Sequence, residues 1–194
     1  MPKSNKKKST KRIILKSKPL YQKVGEKSYN EGDFIYYFGH PYIIRFSKTE
    51  RSHLDHPTKT IVIQTKALET KDSKTRVLEL LKKEMLVTTL ELVTKYTLKY
   101  GVEYKAIRIK KMTSRWGSCS SLKNLNFNLQ LIGAPIEIFE YIIVHEVCHL
   151  MILDHSSKFW ELVSENFPEW KAARKWLKIN GYKLNLDLMI KPFE

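Results

Sequence analysis

The 194-residue chain has no long apolar run: stretches such as 142–144 and 150–153 fall far short of the roughly 18–20 residues that cross a membrane. Its basic N-terminus is followed by only three apolar residues, Ile13, Ile14 and Leu15. An export signal needs an apolar core of about 7–15 residues. These two absences lead us to expect a soluble, cytoplasmic protein with no membrane contact. Cysteine is also scarce. Cys119 and Cys148 are the two present, too few for a disulfide framework and suited to a reducing compartment. No internal repeat is visible. Acid is absent from residues 1–23, which carry nine lysines and arginines among Ser, Thr and Asn. A like-charged block of this kind repels itself, so residues 1–28 are expected to be a disordered basic arm. Such an arm serves solubility, or contacts nucleic acid. It supplies more than half of the net charge of +15.

What the chain does have is core material: 42% hydrophobic residues, with 4 Trp, 8 Phe and 10 Tyr. The length fits one domain with small additions. Aromatic and β-branched residues at 34–38, 42–46 and 60–65 predict short strands, the first two joined by a turn at Gly39-His40-Pro41. His53 and His56 lie in a polar link beside Pro57 and read as surface histidines. Residues 72–100 read as a long helix capped by Asp72 or Ser73, with Val77, Leu80, Leu81, Met85, Leu90, Val93 and Leu98 near helical period, and Gly101 ends it. A strand is expected at 106–110 and another at 125–131, where Leu125, Phe127, Leu129 and Leu131 alternate with Asn126, Asn128 and Gln130. Helices follow at 136–150, from Ser156 or Ser157 until Pro168, and at 169–179. The fold class is therefore α+β. We divide it into the arm at 1–28, a domain at 29–181 (a β-rich part at 29–70 and a second part at 72–181) and a tail at 182–194.

The chemistry concentrates in His145-Glu146-Val147-Cys148-His149, an H-E-x-x-H sequence. On a helix, residues four apart lie on one side, about 40° apart in azimuth. Both imidazoles can then bind one cation. Glu146, about 100° round from His145, can reach a water on that cation without ligating it. The apolar flanks sharpen this reading, since histidines and a glutamate are costly to bury without partners. A catalytic zinc needs a third protein ligand and an open position. His155 is the preferred third ligand, but six residues past His149 it cannot share the helix, so the helix must end at 150–153 and the chain reverse near Asp154. The spacing matches the metzincin pattern, with Ile152 in place of its glycine. Glu161 or Glu165 is the competing ligand. Cys148 reads as a small packing residue.

Arg115-Trp116-Gly117-Ser118-Cys119, the segments 128–132 and 141–150, Asp154-His155-Ser156 and Phe159-Trp160 together resemble the YgjP-like family of metal-dependent hydrolases, from about residue 33 to 181. The chain is more distantly similar to SprT-like zinc peptidases. The resemblance implies a zincin-like catalytic part with one zinc per chain on His145, His149 and His155. It departs at Asp154, where relatives often carry Asn.

Substrate is left open. Residues 104–136 hold Lys105, Arg108, Lys110, Lys111, Arg115 and Lys123 and no acid. In one reading, 125–131 rims a peptidase cleft, a peptide adds to its edge, and Asn126, Asn128, Lys111 and Ser118 touch substrate while Arg115 stabilises the oxyanion. In a second, the basic strip 105–123 holds phosphate and the enzyme is a nucleotide pyrophosphatase. In a third, the chain is a non-catalytic, zinc-stabilised nucleic-acid-binding module. Gly117 is expected at positive φ in a packed turn that buries Trp116.

Overall fold

The computed structural model describes residues 21–23, 28–65, 72–186 and 188–190. Its chain order is β1 (Tyr21–Lys23), β2 (Phe34–Tyr37), β3 (His40–Ser47), β4 (His53–Asp55), β5 (Thr60–Gln64), α1 (Ser73–Tyr100), β6 (Ala106–Lys110), β7 (Gly117–Cys119), β8 (Asn124–Asn128), α2 (Ile136–Cys148), α3 (Ser157–Asn166), α4 (Trp170–Asn180) and β9 (Leu188–Ile190). The mixture is α+β, as composition and periodicity predict. No helix among the described residues is long and apolar enough to cross a membrane.

β2, β3, β5 and β4 make one sheet in that order, with β3 and β5 parallel and the outer pairs antiparallel. Tyr42 and Ile44 of β3 point inward, while Ile43 between them is exposed, as a pleated strand with one covered face requires. The β2–β3 turn is at Phe38 and Gly39, both at positive φ, one step earlier than the expected Gly39-His40-Pro41. That turn docks on the second half of the molecule: the Phe38 N–H donates to Ile132 O at 2.6 Å, and its ring stacks on Phe139 of α2 at 5.4 Å. One buried cluster consequently runs from Ile44 and Ile61 through Met85 to Phe139 and Phe159.

α1 buries every fourth residue: Ser73, Val77, Leu81, Met85, Thr89 and Val93. Thr89 and Thr97 fit this apolar seam because their hydroxyls donate to the carbonyls of Met85 and Val93 one turn back. Leu90 and Leu98, expected on the buried face, are exposed at 41% and 75%. A strict four-residue repeat drifts round the helix and leaves them outside it. The Ser73 hydroxyl accepts from Tyr29 N and donates to Tyr29 O, tying the helix start to the β-rich part. Gly101 closes the helix at φ 59.

A second sheet runs β6-β8-β7, with β6 parallel and β7 antiparallel to β8. The expected strand at 125–131 stops at Asn128, and Leu129–Gly133 turn into a 3-10 helix. Asn128 causes the change: its side-chain oxygen accepts from Gln130 N, which caps the helical turn. The expected disordered arm at 1–28 contains β1, which pairs antiparallel with β9 of the tail. The rest of that arm through residue 20 lies outside the described residues, as do residues 24–27.

Candidate metal centre

α2 is a core helix. Ile138, Phe139, Tyr141, Ile142, Ile143, Val144, Val147 and Cys148 are all buried, so it is apolar almost all the way round. Pro135 starts it, its carbonyl accepting from Ile138 N and Phe139 N. It ends after Cys148 in tightened turns, with Leu150 N donating to Val147 O and both Met151 N and Ile152 N donating to Cys148 O. The chain then reverses. The Asp154 carboxylate accepts from Ser156 N at 2.9 Å, a side-chain turn that leads the chain into α3, while the Ser156 side chain makes no cap bond. This reversal is the break that His155 requires.

His145, His149 and His155 are brought together, each offering one ligand nitrogen, and these nitrogens lie within 4.8 Å of one another. Among the described residues no other group of three ligand-type side chains is placed this way, and neither Glu161 nor Glu165 joins it. Nε2 of His155 stands 3.2 Å from Nε2 of His145. Two ligands about 2.0–2.1 Å from a tetrahedral zinc sit about 3.3–3.4 Å apart, so this spacing fits a shared cation. His149 Nδ1 lies 2.9 Å from Ile152 O. A carbonyl only accepts, so the proton sits on Nδ1 and the Nε2 lone pair is free to ligate. Burial, with the neighbouring imidazoles and Arg174, pushes His145 down to about 3, and burial lowers His149 as well. Both are therefore neutral, as metal ligands must be. The donor set fits zinc.

Aromatic rings fix the imidazoles. Phe159, fully buried, stacks on His149 at 4.4 Å and meets His145 and His155 edge-on. Trp160 stacks on exposed His155 at 5.6 Å and, further out, on Trp170 at 4.3 Å. Trp160 thus packs, as its residue type suggests, but what it packs against is the third histidine.

Glu146, the residue after His145, sits against β7 and lines the same cavity as His145. It is 5% exposed, and the Cys119 N–H bonds to its carboxylate. Burial raises it to about 8, against the pull of Arg115 and that hydrogen bond. A divalent cation among the histidines would draw it back down. Gly117 does not take positive φ. It is glycine because a Cβ there would stand 2.5 Å from Glu146 Oε1 and 2.7 Å from its Cγ. Gly181, expected to end the last helix, keeps a helical φ of −56 and passes into a 3-10 turn. Its missing side chain makes room for the Trp116 ring, which would lie 2.7 Å from a Cβ.

A cavity of about 840 Å³ opens beside this site, between the loop at 115–117, α2 and α4. Among the described residues Glu146 is the sole acid in its lining, against Arg115, Lys171, Arg174, Lys175 and Lys178. The basic strip at 105–123 contributes Arg115 alone. The strand β6, which carries Arg108 and Lys110, sits on the opposite side of β8 from β7. Lys111 is outside the lining too. Asn128, expected to touch substrate, is 2% exposed and fully engaged. Its Nδ2 donates to Met112 O and Arg115 O, and its Oδ1 accepts from Met112 N and Gln130 N. It holds the loop that carries Arg115. Asn126 donates to Ser118 Oγ across the β7–β8 ladder. Side chains alternate along a strand, so with Gly117 and Cys119 against Glu146 the Ser118–Asn126 pair lies on the far face. β8 is also the central strand, so the open edge beside Glu146 belongs to β7.

The basic row on α4 escaped the sequence reading. Its signal was present: Lys171, Arg174, Lys175 and Lys178 stand at i, i+3, i+4 and i+7, one helical face. Like charges at these spacings cost a helix about 0.2–0.5 kcal/mol per pair, or about 1–2 kcal/mol for the row. His53 and His56 take no part in the site. His53 Nδ1 bonds to Arg51 O and His56 Nδ1 to the Tyr42 hydroxyl. Both cysteines are free, and burial raises Cys148 to about 12 and Cys119 to about 11.

Residues 5–180 match the model of the YgjP-like, metallopeptidase domain family. Among solved structures, the metallopeptidase zymogen of Pyrococcus abyssi abylysin is 24% identical with a TM-score of 0.42, over 47% of this chain and 95% of that one. The metallopeptidase zymogen of Methanocaldococcus jannaschii jannalysin is 26% identical with a TM-score of 0.42, over 49% of this chain and 96% of that one. No curated protein matches.

Proposed function

We propose, since the chain belongs to the YgjP-like metallopeptidase domain family, that it is a zinc-dependent peptide hydrolase with a zincin-like catalytic part inside a domain spanning residues 29–181. The carrying observation is the convergence of His145, His149 and His155 within 4.8 Å beside a cavity whose sole acid among the described residues is Glu146. These three histidines would hold one zinc per chain. Zinc in such a site lowers the pKa of a water toward neutrality and polarises a carbonyl oxygen.

The chain's own residues do the rest. Glu146 takes the proton from the attacking water and returns it to the leaving amine. The Cys119 N–H and the bare Cα of Gly117 fix where its carboxylate stands. Arg115, held by Asn128, offers positive charge at the cavity wall for the oxygen that becomes negative. Among the described residues no strand pairs with the outer edge of β7, so apart from Cys119 N, which Glu146 takes, that edge gives an extended peptide a short backbone to pair with, and Gly117 at its start lines the cavity. Phe159 and Trp160 keep the imidazoles in register.

The cations of the cavity support a second reading, hydrolysis of a phosphoanhydride in a nucleotide. The deciding experiment offers zinc-loaded protein an unfolded protein substrate beside a panel of nucleoside triphosphates, with Glu146→Gln as control. Cleavage of the polypeptide that stops in the variant is expected. Turnover of nucleotides alone overturns the peptidase reading, and a zinc-loaded protein that turns over neither is a binding module.

A further inference from the structure

We infer that the basic face of α4 makes the cavity selective for peptides bearing carboxylate side chains on both sides of an intervening residue, close to the bond to be cleaved. This rests on the peptidase reading above and adds the substrate class.

The α4 side of the cavity carries Lys171, Arg174, Lys175 and Lys178, all exposed. Among the described residues none of the four has an acidic partner, whereas Arg45 and Lys95 are paired with Glu50 and Glu140. A surplus of cations facing one cavity, with Glu146 buried in the wall, favours an anionic occupant.

Geometry narrows the kind of anion. Cations one helical turn apart, Lys171 and Lys175 or Arg174 and Lys178, are about 6 Å apart along the axis. On an extended peptide, side chains two residues apart point the same way and lie about 6.6–6.8 Å apart. Two acidic residues separated by one other therefore match two successive turns of α4, while the peptide backbone lies along β7.

The aromatic residues argue against a single-stranded nucleic acid. That ligand is held by bases stacking on open aromatic faces. Here Trp160 and Trp170 already stack on each other. Trp160 is stacked between His155 and Trp170, with the Arg174 guanidinium 5.4 Å from its ring centre. Lys171 lies 5.5 Å from the Trp170 ring centre, and Trp116 abuts Gly181. The indoles hold cations in place and leave charge as the means of recognition. The volume of about 840 Å³ also suits a few residues of an extended chain.

The test uses full-length, zinc-loaded protein and matched peptides that differ only in Asp and Glu against Asn and Gln around one scissile bond. The acidic peptide should show a kcat/KM about 1.5–5-fold higher for each cation engaged, mostly through KM, with the advantage shrinking as salt rises. Lys175→Glu with Lys178→Glu should abolish or invert the ratio. Lys83→Glu on the exposed side of α1 should leave it alone. A parallel measurement follows binding of the fluorescent acidic peptide to the Glu146→Gln protein by anisotropy, with single-stranded DNA as competitor. Equal cleavage of both peptides, indifferent to the α4 reversals, overturns the inference and leaves the peptidase reading standing. Binding of the acidic peptide that needs α4, with no cleavage of either peptide by the zinc-loaded protein, upholds anion selection and removes the peptidase reading. DNA that displaces the acidic peptide at lower concentration than the peptide itself overturns the inference in favour of a nucleic acid.

Discussion

Replacing Gly117 with alanine adds a single methyl group, and the structure predicts that this methyl disables the site without emptying it of metal. A Cβ at 117 would lie 2.5 Å from Glu146 Oε1, 2.7 Å from Cγ and 2.8 Å from Cδ. Ordinary carbon–oxygen and carbon–carbon contacts begin near 3.4–3.5 Å, so the carboxylate must retreat by about 0.7–1 Å. It has little room, being 5% exposed and hydrogen-bonded to Cys119 N. Backbone strain plays no part, because φ at 117 is not positive. The loss of unfolded-state freedom on Gly→Ala stabilises by about 0.4–1 kcal/mol, while overpacking costs about 1–3 kcal/mol, so a net loss of about 1–2 kcal/mol is expected. For catalysis, a displacement of about 1 Å of a positioned group costs on the order of 100-fold. A Cβ at 117 meets Glu146 and none of the three histidines, so zinc content should be unchanged. Peptide hydrolysis, zinc content and urea unfolding of Gly117→Ala measure all three. Activity within about threefold of the parent would refute the reasoning, since the Glu146 position could then not depend on the bare Cα.

Three further outcomes follow from the geometry. His155→Ala should weaken zinc binding by more than the roughly 10–100-fold that loss of an outer hydrogen bond costs, while Glu161→Ala and Glu165→Ala keep the metal; equilibrium dialysis against a chelator measures this, and zinc retained in His155→Ala would sink the assignment. Asn128→Leu should destabilise by about 2–4 kcal/mol, because it strands Met112 N, Met112 O, Arg115 O and Gln130 N, and thermal unfolding should drop by roughly 5–15 °C. Glu140 sits where burial raises a carboxyl, but hydrogen bonds from Lys95 and Tyr96 outweigh it and hold the group below the usual range. A depressed folded value means stability that is full above the unfolded pKa of about 4.3 and lost as pH falls through the folded one. Glu140→Gln should therefore cost about 1 kcal/mol or less at pH 7 and almost nothing at pH 3; an equal deficit at both would refute the ion-pair account.

Local signals were enough for the elements whose chemistry is local. H-E-x-x-H on an apolar helix placed His145, Glu146 and His149, because helical period alone sets their relative directions. The need to leave that helix marked the reversal at Asp154, and alternation found the strands at 34–37, 60–64 and 106–110. Where neighbours in space decide, the sequence was silent. Asn128 looks like one of three equivalent polar residues on a strand, and only the loop packed over it distinguishes it from Asn126. Gly117 and Gly181 look like turn glycines. What selects them is a carboxylate and an indole arriving from elsewhere in the chain. The basic strip at 105–123 and the basic row on α4 are equally visible as sequence. Sheet order decided between them by putting β6 on the far side of β8, and packing against α2 brought α4 to the cavity. Spacing along one helix is a property of the chain itself. Which charges face a shared cavity depends on how elements distant in sequence pack, and that was decided by the tertiary structure.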